Sequence, residues 1–540
     1  MNNRFYLSLA ATVCLLGACN KNDDDSKSAS VLLSPTEVKV KQVDETTLTV
    51  SWKDNSSSET GYEIYLIEPS DIENHRIHGT VGADITSYEL VEKDLIADHS
   101  YYIGVRAVAA DAKYNSRLRK TLFKTKAPID PDAPSVSIKS LQASSSYVKV
   151  EYALSNVDKS AEVGVCWSSD GDPVIGDVHQ SGAPLTDKDK SERLQIISNV
   201  LLDYGTTYNF RAYAKVGSEI YYSETSQGTL SQEREAITFE WTKLEFSSLP
   251  SSVQVYSYEG LLNGRKCKAW YASADLTAGD VEFKVNIPSE ATTIDDQASA
   301  AGNCLVMVNG GYFYNGNNTG LGCVDGVISG GVSAVRGSLK TEDEEYSEMY
   351  NVTRGVFGVD SEGTPAVYWT GADAAGKSWF FDRPLPSVKG EAKYSAAGQT
   401  NPTGCISWTP KYAQSAGPLL LMNGKCPFDF ETTPKGDDYF YTNYEIIPYD
   451  IWGASVKPDR TAAGYTADGK VILLIVDGRI EESDGATLVE LSQIMKGLGC
   501  KGAVNFDGGG STGMVVEGTH LNDLTGGNRP VMSTLGIYKK

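Results

Sequence analysis

Two runs near the C-terminus, Lys470–Val476 (KVILLIV) and Gly502–Phe506 (GAVNF), each break off on an aspartate followed by glycine, and a segment of helical period lies between them. Short continuous apolar runs rich in β-branched residues are what buried strands show. In the intervening segment Thr487 and Glu490 have the spacing of a capping box. Leu488, Leu491, Ile494, Met495 and Leu498 then recur at three and four, with Gly497 or Gly499 as the stop. A helix of about 12 residues spans roughly 18 Å, close to the length of a six-residue strand, so it returns the chain to the edge it left. The spacing therefore predicts two strands running parallel with a right-handed crossover. Asp477 and Asp507 then end at one carboxyl edge, with Arg479 beside them. Ligands of open α/β sheets collect at such edges.

Three glycines after Asp507 (DGGGST) cost conformational entropy unless something needs bare backbone there, and a ligand is the expected reason. A second glycine-rich island, Asn309-Gly310-Gly311, again closes an apolar run. Such backbone can offer N–H groups to an anion. The segment KPDRTAAGYT sets Arg460 and Thr461 just before the Asp477 strand, and arginine suits bidentate phosphate contact. There is no GxxxxGK[ST] and no GxGxxG that opens a helix after a strand, which disfavours ATP and NAD. Of five histidines only His520 lies in this region, so a zinc site built on several histidines is not expected. A hydrolytic triad would have to join His520 to Ser511, and DGGGST is not the GxSxG elbow.

With 540 residues, 41% of them hydrophobic, the chain is long enough for about three domains. A net charge of −22 argues against nucleic-acid partners. Arg4 and the apolar run Phe5–Leu16, about 12 residues where a membrane span needs about 20, read as a signal peptide over 1–18. LGAC, ending on Cys19, resembles a bacterial lipobox, which implies lipidation at Cys19 and a membrane anchor. The charged tether 19–31 resembles an export signal for the cell surface, so an outer-membrane, surface-exposed lipoprotein is expected. Nine cysteines less Cys14 and Cys19 leave seven, without metal spacing; Cys304 with Cys323, or Cys405 with Cys426, are pairs an oxidising compartment could close. Residues 32–127 alternate apolar and polar positions between turns, the pattern of a β-sandwich. Trp52, Tyr62, Tyr101 and Val105 resemble the core of a fibronectin type III module. A proline-rich linker leads to a second sandwich-like unit over 134–230, with Trp167 and Tyr208 as core positions. In tandem the two are expected to act as a stalk. From 235 to 540 glycine becomes dense and helix signals appear, as in one catalytic domain. The expected fold class is thus multidomain: two N-terminal β-sandwiches, then an α+β or α/β mixed-sheet domain.

The pieces VNGGYF, SAGPLLLMNGK, PDRTAAGYT, LLIVDGR, SDGATLVELSQIMKGLGCKGAVNFDGGGST and VMSTLGIY together resemble the phosphodiester glycosidase family over about residues 300–540. Long insertions, KTEDEEYSEMY and FETTPKGDDYFYTNYE, depart from its pattern, so the family's sugar specificity does not carry over. The resemblance implies hydrolysis of a sugar-1-phosphodiester in a phosphorylated glycan, releasing a sugar such as N-acetylglucosamine and leaving a phosphomonoester. Asp507 is then the expected nucleophile or general base and Asp477 its partner. Arg460, with Arg479 as substitute, would hold phosphate, and Thr461, Asn309, Gly310, Gly508, Gly509 and Ser511 would line the site. No cofactor is expected. Two other readings stand beside this one: a divalent cation held by the carboxylates and Asn309 in a metal-assisted phosphodiesterase that cuts P–O, or a non-catalytic glycan-binding lipoprotein.

Overall fold

The structure, a computed structural model, describes residues 31–540 apart from 72–74, 127–131, 183–184, 186–190, 333–334, 341–344, 374, 386–387, 390–404, 428–444, 446–456 and 524–526. The signal, Cys19 and nearly all of the tether lie outside the described residues. The chain divides into two compact units, Met1–Ala133 and Pro134–Lys540.

In the first unit a three-stranded sheet (Thr36–Gln42, Thr47–Lys53, Ser87–Val91) faces a four-stranded one ordered Ile77–Gly82, Gly61–Ile67, Ser100–Val108, Arg119–Lys124. Period-two alternation turns Leu48, Val50 and Trp52 inward onto Tyr62, Ile64, Ile103 and Val105, all at most 5% exposed. Burying each such side chain stabilises the sandwich by about 1.5–3 kcal/mol.

The second unit begins with another sandwich. A three-stranded sheet (Ser135–Ala143, Tyr147–Ser155, Glu192–Ser198) faces a five-stranded one centred on Glu162–Ser168 and Thr207–Val216. Trp167 and Phe210 fill its core, with Tyr208 partly buried against them. This sandwich is bonded to the domain that follows it. Asn199 donates to the Cys426 carbonyl at 2.8 Å in a buried contact, and Lys425 donates to the Leu202 carbonyl at 2.8 Å. Lys496 reaches Glu233 at 2.6 Å. In place of a stalk module, it is part of the same compact unit as the C-terminal domain.

The C-terminal domain packs three sheets around one apolar core to which all of them contribute, from Val255 through Phe357 and Trp369 to Ile475, Phe506 and Leu535. One sheet has the strand order Thr242–Leu244, Val253–Leu262, Arg265–Ala274, Val471–Val476, Arg460–Thr466, Cys500–Asn505, Leu419–Leu421. Val471–Val476 and Cys500–Asn505 run in the same direction but are not hydrogen-bonded to each other. Arg460–Thr466 lies between them, antiparallel to both. The reason is local: Arg460–Thr466 and Val471–Val476 close a hairpin through Gly469, at φ 80°, before the helix forms. The helix then crosses the hairpin and sets the next strand on its far side. This helix, Leu488–Gly497, has both capping-box bonds between Thr487 and Glu490. Leu488, Leu491, Ile494 and Met495 are its buried face. None of the seven cysteines beyond Cys19 is in a disulfide, so neither candidate pair is closed.

Most of the insertion FETTPKGDDYFYTNYE lies outside the described residues, but its last residue, Glu445, is a buried anchor. Its carboxylate accepts from Leu419 N at 2.6 Å, Trp369 Nε1 at 3.1 Å and Gly355 N. Burial still pushes it up to about 7.

Candidate active site

The hairpin arrangement brings three chain ends to one edge of the sheet: the carboxyl ends of the strands leading to Asp477 and Asp507, and the amino end of the strand that opens on Arg460. Asn309, at the end of the Cys304–Asn309 strand, which lies between Thr534–Lys539 and Met514–Val516 in a five-stranded sheet, ties on to them. It is fully buried and donates to the Asp507 carbonyl at 2.6 Å. Its Oδ1 accepts from Thr461 Oγ1 at 2.6 Å and from Gly513 N at 3.3 Å. Asn309 and Thr461 thus fasten the loops together and are closed off from a ligand.

The glycines meet other chain segments. A Cβ on Gly508 would lie 2.6 Å from the Asp459 carbonyl, and one on Gly478 would lie 2.7 Å from Asp459 N. Gly509 sits at φ 62°, with the Arg479 guanidinium 2.7 Å from where a Cβ would be. The Pro458-Asp459-Arg460 backbone therefore passes between the two Asp-Gly turns, where side chains would block it. The anion nest expected at Gly310 and Gly311 is not open: both N–H groups already bond to Ser533, at 2.8 and 2.9 Å. Gly509 N is likewise taken, by the Asp459 carbonyl at 3.0 Å, and Gly508 N by Asp507 Oδ1 at 3.0 Å.

The two aspartates differ. Asp477 is fully buried; Asn522 donates to its Oδ1 at 3.0 Å and Asp523 N to its Oδ2 at 3.2 Å. Burial, reinforced by the charges of Asp459 and Asp523, pushes its carboxyl up to about 7 against these bonds. Asn522 also donates to the Thr512 carbonyl at 3.3 Å and accepts from Met514 N at 3.1 Å, so it couples Asp477 to the chain just past the glycines. Asp507 is only partly buried at the residue level, and its carboxyl is pushed up to about 6 by desolvation. Ser511 and Gly508 N hold it down, with a smaller contribution from Arg529. The Ser511 hydroxyl is buried near Asp507 but closes no hydrogen bond of good geometry among the described residues.

The arginines exchange their expected places. Arg460 is 4% exposed, with Nε donating to the Ala486 carbonyl at 3.0 Å. Burial lowers it to about 10, so it stays cationic at neutral pH. Arg479 is the accessible one: its side chain is 51% exposed and bonds Asp459 Oδ2 at 3.0 Å, with Asp459 itself buried. It does not clamp Asp507. Its backbone is left-handed, φ 60°, a conformation a non-glycine residue adopts at some cost and that is enriched at functional sites. Four residues not among the expected site residues belong to the edge: Asp459, Asn522, Arg529 and Tyr312. Tyr312 donates to the Gly417 carbonyl at 2.7 Å and bears electrostatically on Arg460. Arg529 is exposed, stacks over Phe313 at 5.5 Å and attracts the Asp507 charge. Asp459 stood inside a quoted motif and was passed over for its neighbour. Tyr312 likewise stood inside VNGGYF beside Asn309, whereas Asn522 and Arg529 lay in no quoted motif.

His520 pairs with Asp295 at 3.1 Å. Among the described residues, the trio of carboxylate, histidine or cysteine groups that converges closely enough to hold an ion belongs to the N-terminal sandwich and includes no residue of this edge.

The phosphodiester glycosidase family profile matches residues 302–538, and that of the fibronectin type III domain residues 33–121. Over 84 residues the chain is 38% identical to the SPbeta prophage-derived uncharacterized protein YomE of Bacillus subtilis, covering 15% of this chain and 13% of that one. Over 65 residues it is 37% identical to the mouse N-acetylglucosamine-1-phosphodiester alpha-N-acetylglucosaminidase, covering 12% of each. The aligned stretches thus span only about an eighth of these relatives. Among solved structures, the zebrafish N-acetylglucosamine-1-phosphodiester alpha-N-acetylglucosaminidase catalytic domain, auto-inhibited by its pro-peptide, aligns with 18% identity and a TM-score of 0.36, over 56% of this chain and 89% of that one. A putative exported protein of Burkholderia pseudomallei aligns with 14% identity and a TM-score of 0.36, over 76% and 98%. The chain carries, behind an N-terminal fibronectin type III domain, a C-terminal domain of the phosphodiester glycosidase family.

Proposed function

We propose that the C-terminal domain hydrolyses a sugar-1-phosphodiester in a phosphorylated glycan, with Asp507 as nucleophile or general base. The observation that carries this reading is the pairing of a partly buried carboxylate with cations at one edge. Asp507 has its pKa raised to about 6, the exposed Arg529 bears on it, and the half-exposed Arg479 rests against Gly509 two residues on. A phosphomonoester leaves readily, so the site needs charge stabilisation more than a strong acid on the leaving oxygen. The glycosidic C–O bond breaks, the bridging oxygen departs with phosphate, and water supplies the hydroxyl of the freed sugar. Arg479 and Arg529 are the phosphate ligands, with the Arg460 charge behind them. Ser511, buried beside Asp507, favours its ionised form. Asp477 acts as a positioning residue through Asn522. The second half of the proposal is location: Cys19 carries lipid, and the domain works on glycans at the outer surface of the cell.

The test is hydrolysis of a panel of sugar-1-phosphodiesters by the full chain and by Asp507→Ala, with and without EDTA, in oxygen-18 water. Free sugar carrying the label, indifferent to EDTA and lost in the variant, is expected. Label in the phosphate together with loss of activity in EDTA would instead identify a metal-assisted phosphodiesterase. No turnover, with glycan still bound, would make the domain a binding module.

A further inference from the structure

At one end of the first sandwich Asp54, Glu59 and Asp84 bring a carboxylate oxygen each to within 4.8 Å of one another. Asp54 follows the Thr47–Lys53 strand, Glu59 precedes Gly61–Ile67, and Asp84 sits in the turn after Ile77–Gly82 with φ 61°. Three negative charges so placed repel one another, and among the described residues no lysine, arginine or histidine pairs with any of them.

Glu59 makes the arrangement costlier. It is 8% exposed, and while its Oε1 accepts from Asp84 N at 3.3 Å, its Oε2 is buried with no donor among the described residues. Next to it the Tyr62 hydroxyl, on a residue 1% exposed, lies against Asp54 and also closes no hydrogen bond of good geometry among the described residues. A buried carboxylate with one oxygen unpaired, set beside two more carboxylates, is costly unless a cation meets it.

We propose that Asp54, Glu59 and Asp84 form a Ca²⁺ site. The donors are all hard oxygens, without nitrogen or sulfur, which selects Ca²⁺, Mg²⁺ or Mn²⁺ over softer metals. Among these, Ca²⁺ takes six to eight oxygens in flexible geometry, which suits carboxylates carried by two loops, whereas Mg²⁺ demands a near-ideal octahedron. Asp84 is exposed, so water completes the shell on that side. The ion would fasten two inter-strand loops and so stabilise the folded sandwich, with an affinity on the order of 0.1–1 mM, as in other extracellular modules.

The test uses the full chain and Tb³⁺, whose emission is sensitised through Tyr62, with Ca²⁺ as competitor. Saturable Tb³⁺ binding displaced by Ca²⁺ is expected, weakened at least tenfold in Glu59→Gln and in Asp84→Asn. Ca²⁺ should raise the melting temperature of the wild type and not of the variants, and phosphodiester hydrolysis should be unchanged in both. Asp84 is on the surface, so its variant decides the matter even where Glu59→Gln fails to fold. Absence of saturable binding by the wild type at millimolar Ca²⁺, or unchanged affinity in Asp84→Asn, overturns the proposal.

Discussion

Asp477 and Asp507 look alike in sequence, each closing an apolar run before glycine, yet burial separates them into a structural carboxyl and an accessible one. If Asp507 is the base, it works only when ionised, so kcat/KM should fall as pH drops through about 6, and the remaining activity of Asp507→Asn should lack that limb; a pH–rate profile of both checks this. Asp477 bears on stability. Its folded pKa, about 7, lies above its ordinary value of 3.8. The stability it contributes is therefore complete below about 4 and is lost as pH rises through 7. Urea denaturation of wild type and Asp477→Asn at several pH values should show the difference between them changing over that window. Asparagine also sets an NH₂ against one of the two donors at this position, a cost of about 1–3 kcal/mol. At Gly509, alanine meets both a left-handed backbone and the Arg479 guanidinium, so Gly509→Ala should lower kcat/KM by displacing Arg479 while leaving a folded chain. Circular dichroism beside the assay separates the two effects.

The helix was legible from its period and its cap because both are local. Thr487→Ala removes the side-chain bond to Glu490 N and should cost about 1 kcal/mol in urea denaturation. Gly497 had suggested only a stop signal. In the structure it makes room for Ile237, whose carbonyl would lie 1.9 Å from an added Cβ and whose N–H bonds the Gln493 carbonyl at 2.9 Å. The strand pairing was less legible. Period and length gave the direction of Val471–Val476 and Cys500–Asn505 but not their neighbour, since a hairpin inserted between them leaves both patterns unchanged. The glycines after Asp507 were visible as an anomaly, and their cause was not: the backbone they admit comes from about fifty residues earlier in the chain.

At the scale of the molecule, the second sandwich and the C-terminal domain behave as one compact unit, joined by bonds rather than by a tether. Asn199→Ala removes a buried donor from the Cys426 carbonyl and should cost about 1–3 kcal/mol. Calorimetry should then resolve the sandwich as a separate transition, where the wild type melts the two together. The first unit should melt by itself in either protein.

Everything the sequence determined alone is short in range: strands of period two, a capped helix of period 3.6, and the turn chemistry of Asp-Gly. The set of motifs in order was enough to name the family, because a family resemblance needs residues in sequence and no coordinates. The tertiary structure decided which groups meet. Arg460 is covered and Arg479 stands open, Asn309 is a rivet, Asn522 bridges Asp477 to the chain beyond the glycines, and Arg529 arrives at Asp507 from an unmarked loop. Burial and charge neighbours are sums over segments far apart in the chain, and no local pattern records them.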